Sequence, residues 1–234
     1  MKHSEKISTW TTNPQNKIGL TKKLLSFLSL TIRKQQLQIL TKAVNPTPHL
    51  AVADIGFSPT EDMVDANYFE KHYPYQDRIT AVSVENCTEI KKRYPLIKII
   101  EILPNSRFPF KNKQFDLSTS WATLEHVGGY KEQKYFLSEL LRIGKKIFVT
   151  TPYRGCIYEP HTGLFFLHWL PLRIFRRICN LIGKPFWSSP TNFNPLYVKD
   201  VFRLIPDHKL KVIVFKMFGF LPSHLIITNI NDST

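Results

Sequence analysis

Glu159 and His161 stand two residues apart, in a segment that also carries Tyr153, and they are the best candidates for acid–base chemistry. Imidazole titrates nearest neutral pH, and a hydroxyl nucleophile must shed a proton as it reacts. The alternative is that both residues brace a loop by hydrogen bonds. Another carboxylate, Glu85, follows the apolar run 79–84. Its two oxygens can accept from vicinal hydroxyls such as those of a ribose, unless it is merely an exposed cap. Cys87, Cys156 and Cys179 are distant and unpatterned. Neither a disulfide framework nor a metal site is expected from them.

Elements must place these groups. Residues 50–53 read as a first buried strand ending at Asp54-Ile55-Gly56, and 79–84 as a second that delivers Glu85. Residues 97–100 form a third, and 115–119 a fourth that brings Ser120, Trp121 and Ala122 to its C-terminal tip. Trp121 can wall a cleft or fill a core. Between the strands, helices are predicted from Thr60-Glu61-Asp62, over 88–94 and over 133–141, the last stopped at Gly144. Residues 147–149 are a fifth strand, apolar enough for burial on both faces. Helices at 172–181 and 197–204 follow, then closing strands at 210–215 and 225–230 linked through Gly219 and Pro222. The alternation predicts an α/β fold with a mostly parallel, helix-covered sheet, whose ligands sit at the C-terminal strand tips.

At 234 residues the chain is read as a helical extension (1–46) and one domain (47–234) with an insertion around 153–195. Residues 1–18 are polar and expected to be poorly ordered. Residues 20–44 read as one or two helices, broken at Pro46-Thr47-Pro48. The stretch 24–32 is too short to span a bilayer and lacks a cleavage site, so no export is expected and the cytoplasm is the default. The balance of 32 basic against 18 acidic residues, a net +14, suits a polyanionic partner or simply a basic surface. The basic residues are scattered and no RNA-binding motif is present, which disfavours nucleic acid. Arg173, Arg176 and Arg177 oppose Phe175, Ile178 and Ile182 along the helix at 172–181, a pattern that can rest on anionic lipid.

Pro109-Phe110, Phe115-Asp116, Ser120 and Leu124-Glu125-His126-Val127 together resemble the type-11 group of class I S-adenosylmethionine-dependent methyltransferases. In that group such a run forms the fourth strand and the helix after it. The resemblance runs more weakly from about residue 50 to the C-terminus. It implies a Rossmann-like three-layer sandwich with a seven-stranded, mostly parallel sheet whose last strand is antiparallel and inserts between the fifth and sixth. It also implies S-adenosyl-L-methionine as cofactor, held by Asp54, Gly56, Glu85, Asn105, Ser120 and Trp121. The amides after Gly56 would face the methionine end. Phe57-Ser58-Pro59-Thr60 departs from the family's Gly-x-Gly, which puts cofactor affinity in doubt.

Tyr153, Glu159, His161 and His126 would face the acceptor beneath a lid. Segments 151–154, 159–163 and 165–171 resemble a subgroup associated with bacterial surface polysaccharide or lipid-linked sugars. The acceptor expected is therefore a small molecule, a sugar or a lipid-linked sugar, methylated on oxygen, with peripheral contact at the inner face of an anionic membrane. Two other readings stay open: a binding or scaffold protein with a degenerate cofactor loop, and a nucleic-acid methyltransferase or binder.

Overall fold

A computed structural model describes residues 20–159, 161–206 and 209–230; the polar N-terminal stretch 1–18 lies outside them, as does Pro160. Seven strands make one sheet: β1 (Val52–Ile55), β2 (Ile79–Ser83), β3 (Lys98–Glu101), β4 (Phe115–Trp121), β5 (Gly144–Pro152), β8 (Lys211–Met217) and β9 (Leu221–Thr228). Their order is β3-β2-β1-β4-β5-β9-β8. The pairs among β1 to β5 are parallel, and β9 runs antiparallel to both β5 and β8. The expected Rossmann-like sheet, with its last strand inserted antiparallel, is present. All four residues of β1 are buried, as a central strand covered on both faces requires.

One face of the sheet packs on α3 (Tyr130–Ile143) and α6 (Val198–Leu204) through Phe136, Leu137, Leu140, Val201 and Leu204. The other packs on α1 (Leu20–Val44) and α2 (Tyr68–His72). Leu37, Leu40 and Val44 recur at helical spacing and are buried in this second core. Residues 20–44, read as one or two helices, are one continuous helix whose C-terminal half shares the core of the sheet. The insertion holds a small apolar cluster of its own, built on Phe175, Cys179, Trp187 and Phe193. It comprises the hairpin β6 (Tyr158–Glu159) and β7 (Leu164–Phe165), then α4 (Leu172–Leu181) and α5 (Pro185–Ser188).

Several local expectations change. No helix starts at Thr60: the chain stays irregular until Tyr68, and Glu61 instead pairs with Lys71 and Arg93 and accepts from the Tyr94 hydroxyl. The helix expected at 88–94 shrinks to a 3-10 turn, Ile90–Arg93. Gly144 ends α3 as expected, though without a left-handed turn: its φ is −100° and β5 begins there. A Cβ at Gly144 would lie 2.4 Å from the Ser118 hydroxyl, so the need is close strand approach. Pro222 lies inside β9 opposite a register shift at Phe215/Lys216, where a missing N–H is tolerated. Among the described residues no helix is long and apolar enough to cross a membrane.

Leu40 is fully buried. Leu40→Ala should cost about 2–5 kcal/mol in chemical denaturation, within a single cooperative transition. An unchanged midpoint would show that α1 is not part of the core.

Candidate active site

The strand order reverses between β1 and β4, and open α/β sheets bind ligands at that switch point. A cavity of ≈ 2070 Å³ opens there, lined by Gly56, Glu85, Asn105, Trp121, His126 and His161 among others. Leu28, Ile32 and Arg33 of α1 form part of its wall. Arg33 Nε contacts Asp65 Oδ2 at 3.2 Å and the Ser29 hydroxyl donates to the same oxygen at 2.5 Å, which ties α1 to the loop before α2.

Gly56 has φ +110°, and a Cβ there would fall 2.1 Å from Thr123 Oγ1. Glycine is required both for the turn and for the β4 tip to approach. The rest of the loop is held without glycine. Asn67, itself left-handed at φ 51°, accepts from the Ser58 amide at 2.9 Å and donates to the Ser58 carbonyl at 3.0 Å. The Phe57 amide donates to the Val82 carbonyl at 3.0 Å. Pro59 has no N–H. The expectation that these amides face a ligand is therefore corrected: the protein's own acceptors use them.

Glu85 sits just past β2, half-buried, and burial pushes its carboxyl above the usual range. Its amide donates to Ser83 Oγ at 3.2 Å, while its carboxyl makes no side-chain hydrogen bond among the described residues. Asn105 is exposed at the rim in a left-handed turn. Trp121 walls the cavity and stacks on Phe69 at 5.5 Å. Ser120 does not reach the cavity; its hydroxyl donates to the Ile55 carbonyl at 2.8 Å, joining β4 to β1.

Asp54 is reached, though almost wholly buried, and accepts from the Thr119 hydroxyl at 2.6 Å. Burial raises its pKa despite partners that favour the charge. Glu70 beside it is pushed well up, first by burial and then by the Asp54 charge. Burial and the mutual repulsion of the two carboxyls thus both disfavour a second negative charge at this pair.

On the lid side, His161 Nδ1 meets Glu159 Oε1 at 2.6 Å, and the His161 and Thr162 amides donate to the same carboxylate at 3.0 and 2.6 Å. Burial alone would lower the His161 pKa, but the Glu159 charge outweighs it and raises it. Burial would likewise raise Glu159, and His161 holds it low instead. Glu159 lies behind His161 and off the cavity. His126 Nδ1 faces the Asn192 carbonyl at 2.7 Å. A carbonyl only accepts, so Nδ1 carries the proton and Nε2 its lone pair. Burial, and then the charge of His161, push His126 down to about 3. Tyr153 is not in the cavity; its ring packs over Gly155 and beside Tyr197.

Glu125 is fully buried and accepts from the Thr151 hydroxyl at 2.8 Å. It was visible in the sequence only as part of the Leu124–Val127 run, with no role attached. The structure places one ligand-type atom each of Glu125, His126 and His161 within 4.8 Å of one another. The expectation of no metal site rested on sequence spacing, and these three come together only through folding.

No protein-family model matches the chain, and no curated protein matches it. Solved structures do. A SAM-dependent methyltransferase from Aquifex aeolicus superposes with a TM-score of 0.53 at 14% identity, over 91% of this chain and 98% of that one. Magnesium protoporphyrin IX methyltransferase from Synechocystis, with bound SAH, gives 0.53 at 8% identity over 91% and 88%. 1,6-Didemethyltoxoflavin-N1-methyltransferase from Burkholderia thailandensis gives 0.51 at 11% identity over 84% and 76%. The fold is that of SAM-dependent methyltransferases. These identities establish the fold alone.

The Asp54–Glu70 pair carries a pH dependence. A carboxyl whose pKa rises on folding binds its proton more tightly in the folded chain. Its contribution is complete below the ordinary carboxylate range and is lost as pH climbs through the raised value. The melting temperature should therefore fall as pH rises above the ordinary carboxylate range, and fall less in Glu70→Gln. Parallel slopes for the two proteins would show that Glu70 is ionised in the fold.

Proposed function

We propose that the chain is an S-adenosylmethionine-dependent methyltransferase. The observation that carries this reading is Glu85, a half-buried carboxyl with no side-chain hydrogen bond among the described residues, lining a cavity at the tip of β2 together with Gly56. Its two oxygens suit the two ribose hydroxyls of an adenosine. Asn105 offers an amide at the same end, and Trp121 gives an apolar wall. With the loop amides already engaged, the methionine carboxylate needs another partner, and Arg33 lines the same cavity. Bound there, the cofactor supplies a methyl group on a positively charged sulfur.

The chain's own residues then align an acceptor and exclude water, which suffices for much of the rate of an intrinsically feasible transfer. His126 and His161 line the acceptor side, and Glu159 orients His161. A hydroxyl acceptor, and hence O-methylation of a small molecule, sugar or lipid-linked sugar, fits a site that can take up a proton. The lid favours the lipid-linked case: Ile157, Phe165, Phe166 and Trp169 are exposed there, with Arg173 and Arg177 exposed along α4. An apolar rim beside cationic side chains suits the inner, anionic face of a membrane.

Calorimetry with S-adenosylhomocysteine should show one site per chain. Glu85→Ala should weaken it about 10- to 100-fold, the loss of two charge-assisted hydrogen bonds, with the fold intact by circular dichroism. No heat of binding at millimolar ligand would instead favour a scaffold that has lost its cofactor. Sedimentation with vesicles containing phosphatidylglycerol should carry the protein down in a salt-sensitive manner, and Phe165→Ser should reduce it. Equal recovery with neutral vesicles would remove the anionic-membrane contact.

A further inference from the structure

Two imidazole Nε2 atoms and one carboxylate oxygen converge at the acceptor side of the cavity. His126 Nε2 and His161 Nε2 are 3.3 Å apart. Glu125 Oε1 lies 3.6 Å from the first and 3.8 Å from the second. The point equidistant from the corners of such a triangle is about 2.1 Å from each, the length of a Zn–N or Zn–O bond, roughly 2.0–2.2 Å. Both histidines are braced at the opposite ring nitrogen, His126 by the Asn192 carbonyl and His161 by the Glu159 carboxylate. Metal-binding histidines are typically oriented in this way, with the tautomer fixed so that Nε2 presents its lone pair. Glu125 is oriented in turn by Thr151. Two lone pairs and an anionic oxygen aimed at one point call for a positive charge between them, which is either a shared proton or a metal ion.

We propose that Glu125, His126 and His161 form a divalent transition-metal site, of the kind that binds Zn²⁺ or Co²⁺. Two imidazoles and a carboxylate are the donor set of catalytic rather than structural zinc sites, which keep a coordination position open. His126 and His161 line the cavity and Glu125 stands behind them, so the open position faces the acceptor. That position accepts water or an acceptor oxygen. The acceptor role rests on the methyltransferase reading; metal binding does not.

The test uses the metal alone, without cofactor. The wild-type chain, stripped with chelator and titrated with CoCl₂, should bind one ion per chain and develop visible d–d absorption. Glu159→Gln should weaken binding about 10- to 100-fold, the usual effect of losing a partner of a ligating histidine. Glu125→Gln and His126→Ala should abolish the band. Because a variant of this buried cluster can fail to fold, zinc X-ray absorption on the wild-type chain gives a second measurement: two imidazole scatterers and oxygen, at about 2.0–2.1 Å. A folded wild-type chain that binds no stoichiometric Co²⁺ or Zn²⁺ would overturn the proposal and leave the proton as the bridge. So would a spectrum without imidazole, or affinity unchanged in folded Glu125→Gln and His126→Ala. Loss of S-adenosylhomocysteine binding with metal binding intact would refute the methyltransferase reading alone.

Discussion

The Glu159–His161 pair is almost wholly withdrawn from water, and a buried charge persists only where partners replace its hydration. Here the partners come from the lid and the sheet at once. Glu159 receives two lid amides as well as the imidazole. His161 faces His126 and Glu125, which follow β4, and Glu125 is held by Thr151 of β5. Nearby, the Asn194 amide donates to the Glu125 carbonyl at 2.8 Å, and Asn194 Nδ2 donates to the Gly128 carbonyl at 2.8 Å. The insertion between β5 and α6 is thus docked by polar contacts at the strand tips. Removing one partner from such a network leaves an uncompensated buried group, so the site's geometry and the lid's position are linked.

The loop after β1 solves a different problem. A glycine-rich turn leaves backbone amides available to a ligand. This loop keeps one glycine, where the Thr123 contact demands it, and uses Asn67 as a clamp on both the amide and the carbonyl of Ser58. The result is a turn of defined shape with few spare donors. The cavity wall also carries charged side chains, among them Glu85 and Arg33. Arg33 belongs to α1, so the N-terminal helix contributes to the site as well as to the core.

Much of the fold was legible because the parallel strands announce themselves. Residues 50–55, 79–84 and 147–149 are short, largely apolar runs, as strands buried on both faces must be, while 97–100 forms the half-exposed edge strand. The helix read at 172–181 matches α4 because its apolar and basic residues alternate at helical spacing. The misread segments are those where tertiary contacts decide. Acids after Pro59 look like a helix start, yet Glu61 is drawn to Lys71, Arg93 and Tyr94. Gly144 does end α3 as read, but close approach of the neighbouring strand, not a left-handed turn, is what requires the glycine.

The candidate site divides the same way. Glu85 and His161 are marked by residue type and by following a strand, Trp121 by its place at the tip of β4 and His126 by the family resemblance, and all four line the cavity. By itself the sequence determined the α/β alternation and which strand tips carry polar residues, because periodicity and turn chemistry are local. Only the tertiary structure decided that Ser120 and Tyr153 turn away, that Glu70 is buried beside Asp54, and that Glu125 joins His126 and His161. Those outcomes depend on groups distant in the chain meeting out of water, where each unpaired charge or lone pair must find a partner.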